Sequence, residues 1–468
     1  MHKFEGNLLA RARQFMEREL RKRLVTAAVP LPTEFCPGPF PNAAAATKQG
    51  AWQPVTPGFT WGPAYQEGWY RVKGVVPANF AGQSVALAYS DPYRAVEDSG
   101  HFEDKTSVEG TVWRDNALVG AMDWTHLNFR LFPAAAGKEK VNLMVQTYAP
   151  NKETTVHGWE KPRTEQPATF QGFHLVCLDE ELAQLYHDMV FVESLTQGLP
   201  ENDPLRAHCV RALNEVCDAF DPERRRSIAQ CRRIIKDRLE AQSQEVAHTV
   251  TPVGHAHLDT AWLWPLAITH LKMAHTTAIQ LDLMERYPEH VFAHSQASQY
   301  EWLEEEHPEL FERVKGMIRR GQWEVVGSMW VEADCNLTGA ESLVRQFLYG
   351  RAYFREKFGV TTDDMWLPDV FGYSAALPQI LSQFDIKYFL TQKMSWNQFN
   401  KIPHNTFWWQ GIDGSRVWTH FPPADTYVAD ARPKTILESV RKHRDHARSD
   451  HSLLLFGYGD GGGGPTEQ

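Results

Sequence analysis

Hydrophobic and polar residues alternate with two different periods in the first third of the chain. Residues 1 to about 26 place Leu, Phe and Met at helical intervals among Arg and Glu, which predicts an amphipathic helix that packs on a later part of the chain. From Trp52 to about His157, short runs rich in β-branched and aromatic residues are separated by Gly, Pro, Asn and Asp. Strands at such regular spacing predict a β-sandwich of the jelly-roll type.

The helical period returns between residues 179 and 244, where Asp203-Pro204 and Asp221-Pro222 each have the pattern of an N-cap followed by Pro in the first turn. From Thr249 to the end of the chain, strand-like runs alternate with helical ones. This alternation predicts a mostly parallel sheet with crossover helices, either a barrel or an open sheet. Functional groups are then expected where the strands end.

The predicted fold is therefore multidomain, as expected for 468 residues, a length that exceeds what one core usually organises. The predicted parts are an N-terminal helix and Pro-rich linker (1–50), a jelly-roll-like β-sandwich (51–170), a helical connector (171–247) and an α/β domain resembling a β/α barrel (248–468).

The composition of the chain argues against nucleic-acid and membrane partners. The net charge of −10 argues against a nucleic-acid partner, which favours a basic patch. The chain has no run of about 18 apolar residues that would predict a membrane span, and charged residues interrupt the N-terminus where a signal peptide has its apolar region. Six scattered cysteines without a Cys-x-x-Cys pair fit reduced thiols. We therefore predict a cytoplasmic protein without a nucleic-acid or membrane partner.

The stretch VTPVGHAHLDTAWLWP, at the start of the predicted α/β domain, carries the first candidate chemistry. His255, His257 and Asp259 follow a β-branched run at every second position. If the strand continues to Asp259, all three side chains point to one side of the sheet. Imidazole and carboxylate ligands suit zinc or a similar divalent ion, and Trp262 and Trp264 supply flat apolar surface on which sugar rings stack. The alternative is a chance His-x-His motif in a chain with 20 histidines.

The stretch MWLPDVFGYSAALPQIL contains the second group of candidate functional residues. Asp369 follows a strand-like run and precedes an aromatic-Gly-aromatic turn, which suits a nucleophile or a metal ligand, although a helix-capping role fits the same pattern. Asp460 likewise follows the apolar run SLLLF and precedes a Gly-rich turn. Since His257, Asp369 and Asp460 all follow strand-like runs, we expect them at the same end of the sheet.

In this order, GHAHLDTAWLWP and WLPDVFGYSAALPQI resemble the α-mannosidases of glycoside hydrolase family 38. The resemblance extends from about Thr249 to the end of the chain, and the predicted sandwich resembles the N-terminal domain of the cytosolic or bacterial branch more loosely. Further stretches that agree with this branch are HSQASQYEWLEE, GQWEVVGSMWVEADCNLTGAESLVRQ, FWWQGIDGSRVWTHFPP and GYGDGGGGPT.

The resemblance implies a retaining α-mannosidase that hydrolyses terminal α-D-mannosyl residues of oligosaccharides by a metal-assisted double displacement. It implies that His257, Asp259 and Asp369 bind one divalent ion, which is zinc in most members and calcium or cobalt in some. Asp369 is also implied to be the nucleophile. The residues implied to contact the mannose are Trp262, Trp330, Asp334 and Phe371.

A retaining glycosidase also needs a proton donor. Asp460 is the preferred candidate because its strand and Gly-rich turn deliver it to the same face, where partial burial raises a carboxyl pKa. Asp334 and Glu332 are the alternatives, on the loop after another predicted strand.

One departure from the family concerns the metal site. In the family a further His ligand lies well beyond the Gly-rich turn, and this chain ends at Gln468. We therefore expect an N-terminal fragment with a truncated catalytic domain and a weaker metal site, unless His255 supplies the missing ligand. Whether such a fragment turns over substrate is left open, as are the glycosidic linkage, a phosphorylated mannosyl-glycerate substrate and a homo-oligomer of the longer protein.

Two other functions compete. A metal-dependent amidohydrolase also opens with His-x-His after a first barrel strand, and Lys393 is a match for the lysine that such an enzyme needs. A carbohydrate-binding fragment without turnover would keep the same pocket. The aromatic residues near the motifs and the turn at Asp369 fit a sugar better than an amide.

Overall fold

The computed structural model describes residues 4–94, 109–149, 167–240 and 248–468. Its helices are α1 Glu5–Phe15, α2 Ala43–Gln49, α3 Glu180–Gly198, α4 Pro204–Ala219, α5 Arg226–Glu240, α6 Leu266–Arg286, α7 Ala297–Glu306, α8 Pro308–Arg320, α9 Ala340–Phe358, α10 Leu377–Gln383 and α11 Pro433–Lys442.

The strands fall into two groups, before and after the helices α3 to α5. The first group is β1 Val25–Pro30, β2 Thr33–Pro37, β3 Gln53–Val55, β4 Thr60–Trp61, β5 Glu67–Val75, β6 Ser84–Tyr89, β7 Gly110–Arg114, β8 Ala117–Met122, β9 Asn128–Phe132, β10 Lys140–Tyr148, β11 Ala168–Thr169 and β12 Phe173–Leu178. The second is β13 Thr249–His255, β14 Phe292–His294, β15 Trp323–Val325, β16 Asp364–Trp366, β17 Tyr388–Leu390, β18 Thr406–Gln410, β19 Arg416–His420 and β20 His451–Phe456.

The first group forms the predicted β-sandwich. One sheet has the order β1-β12-β6-β9 and the other β3-β2-β5-β10-β7-β8, and their strand pairs are antiparallel. Large aromatic side chains fill the space between the sheets: Tyr70 stacks on Phe170 at 5.0 Å and meets Phe173 edge-on at 5.6 Å. Trp61, Trp69 and Trp113 are buried. The predicted sandwich residues 95–108 and 150–166 lie outside the described residues.

The Pro-rich stretch before the sandwich, for which the sequence predicts a linker or an extended surface strap, contributes two strands. Val25–Pro30 pairs with β12, and Thr33–Pro37 pairs with both β3 and β5, so both segments belong to the sandwich. Proline is tolerated here because Pro30 ends an edge strand and Pro37 ends its strand, where no ladder donor is needed.

The helices α3, α4 and α5 form a connector whose core includes the apolar side of α1. Leu9, Ala12 and Leu20 are buried there, so the N-terminal segment packs on a later part of the chain as its pattern predicts. Asp203 accepts a hydrogen bond from Leu205 N and caps α4 as predicted. The second predicted start is wrong: Asp221-Pro222 opens a turn, in which Asp221 accepts from Glu223 N, and α5 begins at Arg226.

The second group of strands forms two four-stranded sheets, β15-β14-β13-β20 and β16-β17-β19-β18, with only β18 antiparallel among these pairs. Ala293 and Leu455 of the first sheet pack in one cluster with Trp366 and Leu390 of the second. The sheets thus face each other around a shared interior, which matches the predicted barrel-like α/β domain.

Asp364 joins these two sheets. Its Oδ2 accepts a hydrogen bond from Gly327 N at 2.7 Å, just after β15. Burial raises the pKa of Asp364 to about 7.

The six cysteines are free thiols, five of them buried. Among the helices of the described residues, none is long and apolar enough to cross a membrane.

Candidate active site

β13 ends at His255, earlier than the alternating geometry of the HxHxD motif requires. The His255 ring is buried, and its Nε2 accepts a hydrogen bond from Trp366 Nε1 at 3.2 Å inside the barrel. His255 is also absent from the one group of described residues that can hold a metal ion. The structure therefore separates His255 from its two neighbours in the motif, because the chain leaves the extended conformation between them.

His257 lies at the centre of the site. Its Nε2 is 3.5 Å from Asp259 Oδ1 and 3.5 Å from Asp369 Oδ2. His257, Asp369 and Asp460 each offer a ligand atom, and these atoms lie within 4.8 Å of one another. The predicted convergence of His257, Asp369 and Asp460 at the strand ends is thus seen in the structure.

The donor set fits a divalent metal ion. The buried Nε2 of His257 makes no hydrogen bond within the described residues, although carboxylate oxygens surround it. One imidazole nitrogen with two or three carboxylate oxygens is a ligand set that zinc and similar ions accept. The group found in the structure contains Asp460 in the place where the sequence predicts Asp259, and Asp259 stands beside the same nitrogen.

Glu332 contacts the other ring nitrogen of His257. Its Oε2 is 3.0 Å from His257 Nδ1, and its Oε1 accepts a hydrogen bond from Ser295 Oγ at 2.6 Å. Burial lowers the pKa of His257, but Glu332 and Asp259 outweigh this and raise it well above its ordinary value. A carboxylate behind a ligating histidine fixes the orientation of the ring. Glu332, one of the two alternative proton donors, therefore occupies a supporting position.

An ammonium group and a hydroxyl converge on the carboxylate of Asp369. Lys393, whose side chain is 2% exposed, places Nζ 2.6 Å from Oδ1. The hydroxyl of Tyr427 donates to Oδ2 at 2.7 Å. The Lys393 ammonium also lies over the rings of Trp396 at 3.4 Å and Phe371 at 4.4 Å, which stabilises its charge in a buried position.

Asp460 lies across the site in the left-handed backbone region, with φ 53°. Burial raises its pKa, the His257 charge opposes this, and Asp259 and Asp369 add to the increase. Its Oδ1 is 2.9 Å from the hydroxyl of Tyr427, which also contacts Asp369.

A phenol carries only one hydroxyl hydrogen, so Tyr427 donates to one carboxyl at a time. Both contacts are favourable when Asp460 is protonated and donates to the Tyr427 oxygen while Tyr427 donates to Asp369. Burial raises the pKa of Asp460, which favours the protonated form of this carboxyl. Acid–base chemistry at a glycosidic bond requires one protonated and one ionised carboxyl close together.

Two of the aromatic rings predicted to contact the sugar are exposed, and Phe371 lies against the Lys393 ammonium. Phe371 is 68% exposed and meets Trp396 edge-on at 5.6 Å. Trp262 is 46% exposed and packs edge-on against the buried Trp264. Such rings can stack on a sugar.

Trp330 and Asp334 have local structural contacts. Trp330 packs edge-on against Tyr353 of α9 at 6.0 Å. Asp334 Oδ1 accepts hydrogen bonds from Asn336 N and Leu337 N at 2.9 and 2.6 Å, which closes a turn. Neither contact joins them to the His257 group, so their role in substrate binding stays a prediction.

Sequence reasoning missed Tyr427 and assigned Lys393 only to the competing amidohydrolase. Both follow strands of the second sheet: Lys393 comes shortly after β17, and Tyr427 lies on the loop after β19. The expectation that functional groups follow strand ends, applied to every strand, would have found them.

Comparison with known proteins agrees with this geometry. Residues 247–468 match the model described as "Glycosyl hydrolases family 38 N-terminal domain", and residues 29–175 match "Alpha-mannosidase, jelly roll domain". The chain is 35% identical to human "Alpha-mannosidase 2C1" over 97% of its own length and 43% of that protein. It is 40% identical to the "Alpha-mannosidase" of Saccharomyces cerevisiae over 63% of its own length and 29% of that protein.

Among solved structures, an α-mannosidase from Enterococcus faecalis aligns with 47% of this chain and 26% of its own, at 22% identity and a TM-score of 0.39. The family models and the relatives define the class of the chain as that of the glycoside hydrolases. The sequence matches then place residues 247–468 in glycoside hydrolase family 38 and residues 29–175 in the jelly-roll domain of its α-mannosidases. The chain spans less than half the length of these curated relatives.

Proposed function

We propose that this chain carries the catalytic groups of a retaining α-mannosidase that removes terminal α-D-mannosyl residues from oligosaccharides. The observation that carries the proposal is the pair Asp369 and Asp460, which offer oxygens within 4.8 Å of each other and share the hydroxyl of Tyr427. Retaining glycosidases hold their two carboxyl groups about 5–5.5 Å apart, close enough for one to be the nucleophile.

In the first step, a carboxylate oxygen of Asp369 forms a bond to the anomeric carbon of mannose as the bond to the leaving oxygen breaks. Asp460 gives its proton to that oxygen, so the aglycone leaves as a neutral alcohol. In the second step, Asp460 takes a proton from water, whose oxygen displaces Asp369 from the anomeric carbon. Two inversions give mannose with the starting configuration.

The protein supports this division of roles by different contacts. Asp369 accepts from Tyr427 and pairs with Lys393, both of which stabilise its anionic form and orient it before attack. Asp460 is half-buried and its pKa is raised, which suits a general acid.

His257, Asp259 and Asp369 are the proposed ligands of one divalent ion, zinc first, with calcium or cobalt as alternatives. Such an ion, when bound, supplies Lewis-acid stabilisation and a template for sugar hydroxyls. Glu332 contributes by fixing the His257 ring, whose Nδ1 it holds.

The proposed mannose contacts are Trp262, Trp330, Asp334 and Phe371. Trp262 and Phe371 are supported by their exposure, because a stacking surface must be accessible to the sugar.

The proposal is tested with the purified chain, supplied with zinc, on 4-nitrophenyl α-mannoside, with the β-anomer as matched control. We expect release of nitrophenol from the α-anomer only, and proton NMR of the earliest product should show α-mannose. Early β-mannose would contradict the retaining mechanism. Mannose binding without turnover would instead favour a carbohydrate-binding fragment, and hydrolysis of an aryl amide but no mannoside would favour an amidohydrolase.

A further inference from the structure

The Gly-rich loop Gly461–Pro465, which directly follows Asp460, is closely packed by side chains from outside the barrel's strands. Gly461, Gly463 and Gly464 all have positive φ, between 79° and 84°. A Cβ on Gly463 would lie 2.5 Å from Asp123 Oδ2, and one on Gly462 would lie 3.1 Å from Trp124. Glycine is needed here for both the backbone conformation and the approach of the β-sandwich.

Every backbone carbonyl of this loop accepts a hydrogen bond. Helix α6 supplies Gln280, whose Nε2 donates to Gly463 O at 2.7 Å and Pro465 O at 3.1 Å, and Lys272, whose Nζ donates to Gly461 O at 3.4 Å. The amide of Tyr458 donates to Gly464 O at 3.0 Å.

The remaining donors come from the turn Asp123–His126 between β8 and β9 of the sandwich. Thr125 Oγ1 shares its one hydrogen between Gly462 O at 3.0 Å and Asp123 Oδ1 at 2.9 Å. His126 Nε2 donates to Pro465 O at 2.9 Å, since a carbonyl can only accept. The Trp124 ring also meets Tyr458 edge-on at 5.3 Å. Two separate domains therefore hold the same five residues.

Asp123 organises this turn. Its side chain is fully buried, and Oδ1 accepts from Thr125 N at 2.7 Å and from His126 N at 2.6 Å. Oδ2 lies 3.1 Å from Nε2 of His275 on α6. A buried carboxylate with this many partners fixes the turn in one conformation, because each partner would be left unsatisfied if the turn moved.

We propose that the Asp123–His126 turn of the β-sandwich positions Asp460 for proton transfer, so that the sandwich is a working part of the active site. The inference rests on the proposed role of Asp460 as acid and base. Thr125 and His126 are then positioning residues, which act on the reaction through the Gly461–Pro465 loop and touch no reacting atom.

The physical reason is that the residues held by the Asp123–His126 turn lie close to Asp460 along the chain. Gly462 is two residues from Asp460, and Asp460 itself adopts a left-handed conformation that few side chains favour. A displaced loop lets Asp460 rotate away from the leaving oxygen, and a displacement of about 1 Å at a reacting group can cost about a hundredfold in rate.

The test uses Thr125→Val, which keeps the side-chain shape but removes the donor to Gly462. The matched control is Thr33→Val: Thr33 is also buried in the sandwich and donates to a carbonyl, that of Leu31, away from the site. His126→Phe, which removes the donor to Pro465, is the second variant should Thr125→Val fail to fold. Thermal unfolding of each variant shows whether it folds.

The first readout is amide hydrogen exchange at Tyr458, Gly462 and Gly464, whose N–H groups donate within this loop. We expect about tenfold faster exchange in Thr125→Val, as the loss of one buried hydrogen bond implies, and unchanged exchange in Thr33→Val. Equal exchange in the two variants would contradict the claim that Thr125 holds the Gly461–Pro465 loop.

The second readout is the dependence on the leaving group. For Thr125→Val we expect kcat/KM to fall about tenfold or more on methyl α-mannoside, which needs protonation, and less than about twofold on 2,4-dinitrophenyl α-mannoside, which does not. Faster exchange with an equal loss on both substrates would overturn the positioning role. If the unaltered protein cleaves neither mannoside, the proposed function fails, while the exchange rates still decide whether the sandwich holds the loop.

Discussion

Tyr427→Phe is the sharpest single change at the proposed active site, because it removes one oxygen that contacts both carboxyls. The hydroxyl lies 2.7 Å from Asp369 Oδ2 and 2.9 Å from Asp460 Oδ1. The ring itself packs edge-on against His257 at 5.2 Å and lies 5.2 Å from the Lys393 ammonium. Phenylalanine keeps those ring contacts, so the effect of the substitution isolates the hydroxyl.

The expected magnitude follows from the charge of the acceptor. A hydrogen bond to a charged group contributes about 1.5–3 kcal/mol, which corresponds to about a ten- to 150-fold loss in kcat/KM if the bond stabilises the reactive arrangement. In the shared arrangement the protonated Asp460 donates to the Tyr427 oxygen, and this bond favours the protonated form of the carboxyl. Removal of the hydroxyl should therefore lower the pKa of Asp460 and move the basic limb of the kcat/KM profile to lower pH.

The assay is the pH dependence of kcat/KM on 4-nitrophenyl α-mannoside, with bound metal measured in both proteins. Thr33→Val, a buried sandwich substitution that removes a hydroxyl away from the site, is the control. Wild-type activity with an unmoved profile in Tyr427→Phe would refute the shared-proton arrangement. A loss of metal in the same variant would show that the hydroxyl supports the ligands instead.

Five further substitutions test the other proposed roles and the stability of the fold. Asp369→Asn should abolish measurable turnover while retaining mannose binding, and near-normal kcat would refute Asp369 as the nucleophile. Asp460→Asn, which tolerates φ 53°, should keep bound metal and remain most active on activated aryl mannosides; loss of its metal would reassign Asp460 as a ligand. His257→Ala should lose its bound metal by elemental analysis, whereas Glu332→Gln should weaken metal affinity about 10- to 100-fold; full metal content in His257→Ala would contradict the site. Asp364→Asn should be more stable than wild type above about pH 7, by at most about 4 kcal/mol in denaturant unfolding. The folded carboxyl, with its pKa raised to about 7, keeps a proton that the unfolded chain releases near pH 4, so the stability of the wild type falls between these two pH values. Parallel curves of stability against pH for the two proteins would contradict this.

The sequence predicts the sandwich and the barrel-like domain because both depend on periodicity, which is local. It fails where a tertiary contact decides: Val25–Pro30 becomes a strand only because β12 offers its edge, and proline alone suggested a linker. His255 shows the same limit within the site. Its side chain was expected beside His257, but the strand ends at that residue and Trp366, more than a hundred residues later, takes its ring.

Tyr427 illustrates a different limit. No motif surrounds it, and its contact with Asp369 and Asp460 follows from the closure of the second sheet around the first. Spacing in the chain places a residue after a strand, but the neighbour that it meets across the barrel depends on packing.

The pairing of β13 with β20 sets the order in which the site can assemble. Thr249 pairs with His451, so the two strands close a loop of about 200 residues, and the entropy of that closure must be overcome before the contact stabilises anything. His257 follows one strand and Asp460 the other. During synthesis the nascent chain therefore contains His257 and Asp369 without Asp460 until β20 has left the ribosome. Long-range parallel pairing is among the slow steps of folding. Folding intermediates that retain the sandwich and helices should thus lack a complete site.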